Sequence, residues 1–180
     1  MTEIFLGLGS NHQREQHLRS GLDALTDFLT DLRCSPVFES EPIGFKGENF
    51  YNLVARAQTD LPLIELSQRL KTIEADNGRY APNRQGLPLD IDVLLYGDTV
   101  GTVQGIVLPR AEILKNAFVL WPLSLLAPDV RHPKQGKTFA TLWQQMPKQQ
   151  CLWPVAFSWR NQALTPKTLL VMLKFSCTGH

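Results

Sequence analysis

The chain has 180 residues, enough for one well-cored domain or a domain with an appendage. Hydrophobic residues at 43% and charged residues at 19% exclude a disordered or fibrous protein. A net charge of +1 argues against a dedicated nucleic-acid or membrane surface, and three scattered cysteines (Cys34, Cys151, Cys177) fit reduced cytoplasmic thiols better than a disulfide framework.

The N-terminus, Met1-Thr2-Glu3-Ile4-Phe5, has no basic stretch before a long apolar run and is not read as a signal peptide. No apolar stretch reaches membrane-spanning length. Residues 3–8 predict a short strand ending at Gly9-Ser10-Asn11, a turn or helix-entry signal. From about 12 to 30, Leu18, Leu22, Leu25 and Leu29 recur at helical spacing and predict an amphipathic helix. Residues 31–41 read as extended, closed off by Pro42 and Gly44. A third strand follows with Tyr51, Leu53, Ala55 and Ala57 on one side and Phe50, Asn52, Val54 and Arg56 on the other. Asp60-Leu61-Pro62 opens a second helix whose apolar face is Leu63, Leu66, Leu70 and Ile73, and Gly78 ends it.

A loop over 79–88 leads into Leu89-Asp90-Ile91-Asp92-Val93-Leu94-Leu95-Tyr96, an apolar strand carrying two carboxylates on one face. Two residues of rise place the Asp Cα atoms roughly 6.5–7 Å apart, within reach of one or two hard cations. The plain alternative is a half-exposed strand with a solvated polar face, against which stands the rarity of Asp in so apolar a run. Strand parity sends Leu89, Ile91, Val93 and Leu95 toward the helices, and Asp90 and Asp92 toward the same face as Phe50 and Asn52. Residues 117–126 predict a further apolar helix kinked or ended near Pro122, and Thr138 to Met146 another. The order β-α-β-β-α-β predicts an α+β, ferredoxin-like antiparallel sheet with both helices on one face and the other face free, plus extra C-terminal helices. The tail from about 150, with Trp153, Phe157, Trp159 and Leu169-Leu170-Val171-Met172-Leu173, is too apolar for disorder and reads as a docked appendage.

Several segments occur in the order and spacing of one family: Leu6-Gly7-Leu8-Gly9-Ser10-Asn11, Glu41-Pro42-Ile43-Gly44 with Phe50-Tyr51-Asn52, the strand Leu89 to Gly97, Leu108-Pro109, and Asn116-Ala117-Phe118-Val119-Leu120-Trp121-Pro122-Leu123. Over about residues 3–145 the chain resembles 6-hydroxymethyl-7,8-dihydropterin pyrophosphokinases of folate biosynthesis. The resemblance implies a domain over 1–148 and an appendage over 149–180 of unread role. It implies that Asp90 and Asp92 hold two Mg2+ ions against the phosphates of ATP, the co-substrate. The pterin ring would stack between Phe50 and Phe118, Asn52 would read its amino and carbonyl edge, and Ser40, Pro42 and Ile43 would frame the pocket. Glu74 and Arg79 match positions near the nucleotide. The expected partners are the two small molecules, with no nucleic acid and no membrane, in a cytoplasmic monomer.

The chain departs from the family pattern on the phosphate side. Leu87, in Gly86-Leu87-Pro88, stands where the family carries an Arg, Arg110 stands where a His is usual, and Asn116 stands where an Arg is frequent. Leucine cannot replace a guanidinium fork, so Arg79, Arg84 and Arg110 become the candidate cations for catalysis and ATP binding. The readings carried forward are a working pyrophosphokinase, a divergent paralogue that binds a pterin-like ligand with weak or no transfer, and an RNA-binding module with Phe50 as stacking platform. Walker-type and protein-kinase signatures are absent from the sequence, and its histidines and cysteines lack zinc spacing.

Overall fold

The computed structural model describes residues 1–172, so Leu173, Cys177 and His180 lie outside it. Strand β1 (Thr2–Ser10) leads to helix α1 (Arg14–Thr26), followed by β2 (Thr30–Cys34), β3 (Val37–Ser40) and β4 (Phe50–Thr59). Helix α2 (Leu63–Asp76), β5 (Asp90–Tyr96) and the small hairpin β6 (Gly101–Val103) and β7 (Ile106–Leu108) come next. Helices α3 (Glu112–Lys115), α4 (Ala117–Leu126) and α5 (Phe139–Gln145) precede β8 (Leu152–Val155), β9 (Ser158–Trp159), β10 (Gln162–Ala163) and α6 (Lys167–Met172).

The main sheet has six strands in the order β5-β1-β4-β3-β8, with β2 also pairing β4, and every pair is antiparallel. The first four positions reproduce the predicted ferredoxin-like arrangement. Strands β2 and β3 form one line interrupted at Ser35-Pro36. There Pro36 has no amide to donate, and the Ser35 hydroxyl, in place of a ladder carbonyl, accepts the Val54 N–H at 2.8 Å. Helices α1 and α2 cover one face through Leu18, Leu22, Leu25, Leu66, Leu70 and Ile73, which pack on Leu6, Leu8, Leu53, Ala55 and Ile91. Each such leucine contributes about 1.5–3 kcal/mol by leaving water.

Four sequence expectations need correction. The strand β1 runs through Gly9 and Ser10, so the turn begins only at Asn11. Helix α1 stops at Thr26, four residues short, although Leu29 still reaches the core. Leu95 does not face α1 and α2. Phe5 pairs with Leu95 and Leu6 with Val93, so Leu94 is an extra residue that reverses the parity beyond it. Leu94 and Leu95 therefore both pack with Phe5 and Val54, while Tyr96 turns to the α2 side and donates to the Leu61 carbonyl at 2.7 Å. Finally, the second sheet face is not free: α4 packs over β3 and β4, and α5 packs against α4, through Ile113, Leu120, Leu123 and Phe139. Helix α4 runs through Pro122 to Leu126, with the Phe118 carbonyl losing its usual helical donor.

The described part of the tail docks on the domain through several contacts. Strand β8 extends the sheet beyond β3. The Thr165 hydroxyl accepts the Val37 N–H at 3.0 Å. The β9–β10 hairpin is held on α1 by Asp23, which accepts from Trp159 at 3.0 Å and Arg160 at 2.9 Å.

Candidate functional site

Where α4 leaves the second face uncovered, a cavity of about 380 Å³ opens. Its floor is β1, and Gly7 and Gly9 make that floor flat. In the sheet register Gly9 lies between Asn52 and Asp90, and Gly7 between Val54 and Asp92. A Cβ at Gly9 would sit 3.1 Å from the Asn52 Oδ1. In the sequence these glycines stand within the Leu6-Gly7-Leu8-Gly9-Ser10-Asn11 motif. Glycine at alternate positions of an apolar strand was the signal for close approach to that face.

The structure brings Ser40, Pro42, Ile43, Phe50, Asn52 and Phe118 around this floor, with Asp90 and Asp92 at its side. Asn52 is buried, and its Nδ2 donates to the Ser40 hydroxyl at 2.8 Å, fixing a polar edge on one wall. Phe45, which sequence reasoning missed, meets Phe50 edge-on at 6.2 Å from the loop between β3 and β4. Leu87 also faces the cavity.

The acidic pair forms a partition. On its other side lies a groove of about 160 Å³ lined by Lys71, Glu74, Arg79, Ile106 and Arg110, with Asp90 and Asp92 as the shared wall. Arg79 donates to Asp90 at 2.8 Å, to Glu74 at 3.2 Å and to the Leu89 carbonyl at 3.1 Å. Glu74 is buried and accepts from the Ile91 amide and the Tyr80 hydroxyl, both at 2.9 Å. Burial pushes the Glu74 carboxyl above its ordinary value, and those two donors pull against it. Arg110 is held by the Val93 carbonyl at 3.2 Å, and its guanidinium stands 3.9 Å from Asp92. Asp92 is pushed up to about 7, first by burial and then by the Asp90 charge, with Arg110 opposing.

Burial and the neighbouring Asp90 charge both disfavour a bare carboxylate at Asp92, and a divalent cation between the two acids would offset both. No cluster of three or more His, Cys, Asp or Glu side chains with metal-binding geometry occurs among the described residues. Two carboxylates fit Mg2+, which takes its other ligands from water and phosphate oxygens.

Arg84 is apart from this partition. It donates to the Arg79 carbonyl and lines a neighbouring hollow with His12 and Lys46. The loops on both sides of that hollow are tied to Asn11. Its main-chain N–H donates to the Leu87 carbonyl at 3.0 Å, its Oδ1 accepts the Leu87 N–H at 2.5 Å, and its Nδ2 donates to the Glu48 carbonyl at 3.3 Å. Gly86 is required beside it, because its φ is +62° and a Cβ would lie 2.7 Å from Oδ1. Asn11→Ala is therefore expected to lower the melting temperature by about 3–8 °C. Trypsin cleavage after Lys46 and Arg84 should accelerate in the same variant, which limited proteolysis checks.

Fold and cavity together define a class: a ferredoxin-like α+β protein whose sheet carries an acidic pair between an aromatic-lined cavity and a groove lined by Lys and Arg. A sequence profile of the 7,8-dihydro-6-hydroxymethylpterin-pyrophosphokinase (HPPK) family matches residues 5–128. A 2-amino-4-hydroxy-6-hydroxymethyldihydropteridine pyrophosphokinase from Aquifex aeolicus is 35% identical over 136 residues, spanning 74% of this chain and 85% of the relative. One of the same name from Pseudomonas aeruginosa is 36% identical over 137 residues, spanning 72% and 83% respectively. A wild-type Plasmodium falciparum HPPK-DHPS solved with pteroate superposes with a TM-score of 0.64 at 14% identity, a likeness of fold alone. The match spans 80% of this chain and 44% of that longer one. The chain belongs to the 7,8-dihydro-6-hydroxymethylpterin-pyrophosphokinase family.

Proposed function

We propose that the chain transfers the terminal pyrophosphoryl group of ATP to the hydroxymethyl group of 6-hydroxymethyl-7,8-dihydropterin and releases AMP, a step of folate biosynthesis. The observation that carries this is Asp90 and Asp92 standing as the common wall of an aromatic-lined cavity and a cation-lined groove. The pterin occupies the cavity, stacked by Phe50 and Phe118, with Asn52 and Ser40 presenting donors and acceptors to its polar edge. Pro42 and Ile43 close the side next to Ser40. The nucleotide lies in the groove, where Arg79 and Arg110 face its phosphates and Glu74 holds Arg79 in place.

The hydroxyl oxygen forms its bond to the β-phosphorus as the bond from that phosphorus to the α,β-bridging oxygen breaks. AMP leaves with that oxygen, and Asp92 accepts the hydroxyl proton. Asp90 and Asp92 would hold magnesium, two ions in this reading, which would supply charge neutralisation at the transferring group. Most of the rate arises from alignment across the partition. The chain acts as a cytoplasmic monomer, with residues 1–148 as the catalytic domain.

The test is AMP release from Mg-ATP with and without the pterin. Pterin-dependent AMP supports transfer, and none from folded protein favours the divergent binder, with Leu87 the first suspect. Arg84 tests the altered cationic clamp. Its side chain is exposed and donates only to its own loop, so Arg84→Ala should shift the melting temperature by less than about 2 °C. Turnover should fall about tenfold or more if Arg84 reaches the phosphates. Unchanged turnover would remove it from the site.

A further inference from the structure

A short stretch of the tail, outside the matched family segment, joins two walls of the cavity. Helix α4 begins at Ala117 and carries Phe118, and its N-cap residue Asn116 makes no side-chain cap bond. The Ala117 amide is one of the orphan donors of a helix start. It is taken by Gln150 from the tail, whose Oε1 accepts it at 2.7 Å. The Gln150 Nε2 faces the Lys115 carbonyl and the Asn116 Oδ1, each at 3.4 Å.

The approach to Gln150 is itself fixed. Lys148 donates to the Trp143 and Met146 carbonyls at the end of α5 and lies 3.7 Å over the Trp143 ring. Immediately beyond Gln150, β8 places Leu152 opposite Ser40. Leu152 is buried with Phe38 and Ala117, and Phe118 packs against that cluster. A span of three residues therefore connects the helix that carries Phe118 to the strand that carries Ser40, the hydroxyl bonded to Asn52.

We infer that Gln150 is a positioning residue for pterin recognition: by capping α4 it holds Phe118 at the spacing from Phe50 and Asn52 that a single flat ring requires. The inference rests on the pyrophosphokinase reading. Loss of the cap lets the first turn of α4 fray, so the competent pocket is populated only part of the time and the observed affinity falls by that fraction.

The experiment is titration of the full-length chain with 6-hydroxymethyl-7,8-dihydropterin in the presence of Mg2+ and a non-hydrolysable ATP analogue, in the cold, with folding checked by circular dichroism. Gln150→Ala is expected to raise Kd and KM for the pterin about five- to tenfold while KM for ATP stays within about twofold. Gln150→Glu, which keeps the acceptor for Ala117 but loses the donor that faces Lys115 and Asn116, should recover part of the pterin affinity lost in Gln150→Ala. A merely structural residue would lower the melting temperature of Gln150→Ala and leave the pterin Kd of the folded variant unchanged, and that result overturns the inference. So does an equal loss in the Ala and Glu variants. Should Gln150→Ala fail to fold, amide exchange in the wild type decides. Protection of the Ala117 N–H that increases on pterin binding supports the role, and fast exchange in both states overturns it. A wild type that binds no pterin overturns the pyrophosphokinase reading, and this inference with it.

Discussion

Asp92→Asn is expected to lower pterin-dependent AMP release by about a thousandfold or more, a loss near 4 kcal/mol of transition-state stabilisation. Asparagine keeps the shape but removes a charge from the partition, which in the proposed mechanism takes away both a magnesium ligand and the proton acceptor. The same substitution should stabilise the metal-free protein, and only at higher pH. The Asp92 carboxyl ordinarily titrates at 3.8 and in the folded chain is pushed up to about 7. The unfolded chain therefore ionises it more readily than the folded one. The resulting penalty on the fold is absent below the lower value, grows as pH rises between the two, and is complete above about 7. The side chain is 44% exposed, so solvent screens part of the effect. A rise in melting temperature of about 2–4 °C near pH ~8, with none near pH ~4, is the expected outcome. Thermal melts of both proteins at the two pH values decide it, and an equal shift at each would assign the gain to something other than charge.

Gly9→Val should abolish pterin binding while leaving the fold intact. Valine suits a strand, and Gly9 has no left-handed backbone to strain. Its side chain would rise from the cavity floor, with the Cβ alone 3.1 Å from the Asn52 Oδ1. Asn52 would have to give up its bond to Ser40 or the ring its place on the floor. Pterin Kd should rise about a hundredfold or more, equivalent to roughly 3 kcal/mol. Gly7→Ala is the milder companion, since its Cβ would meet the flexible end of Leu94 at 3.4 Å. A near-wild-type Kd in Gly9→Val would mean that the ring does not lie on β1.

Local periodicity carried much of this structure into view. The leucines of α1 and α2 recur at helical spacing because one face of each is buried, and the alternation of β4 placed Asn52 and Phe50 with the acids. What escaped depended on partners distant in sequence. The Leu94 bulge is a mismatch between β5 and β1, so nothing in residues 89–96 alone signals the reversal at Leu95. Strand β8 is four residues long and contains Pro154, too short and too irregular to show alternation. The Asn11 clamp joins positions 76 residues apart, and its chemistry is invisible until the loops fold back. The cover over the second sheet face was missed for a similar reason: α4 is apolar nearly all round, so its pattern did not say which surface it would take.

The two ends of the sheet have a bearing on self-association. An exposed outer strand normally offers a row of amides and carbonyls to a second copy of the chain, the usual beginning of aggregation. Here the β5 end is occupied by Arg110, whose main-chain N–H and Nε take the Leu94 and Val93 carbonyls at 3.0 and 3.2 Å. The β8 end is four residues long and carries a proline, which deletes one amide from the row. The arginine proposed to face the phosphates thus also covers a sheet edge, and replacing it would uncover the Val93 carbonyl while its main-chain bond to Leu94 stays.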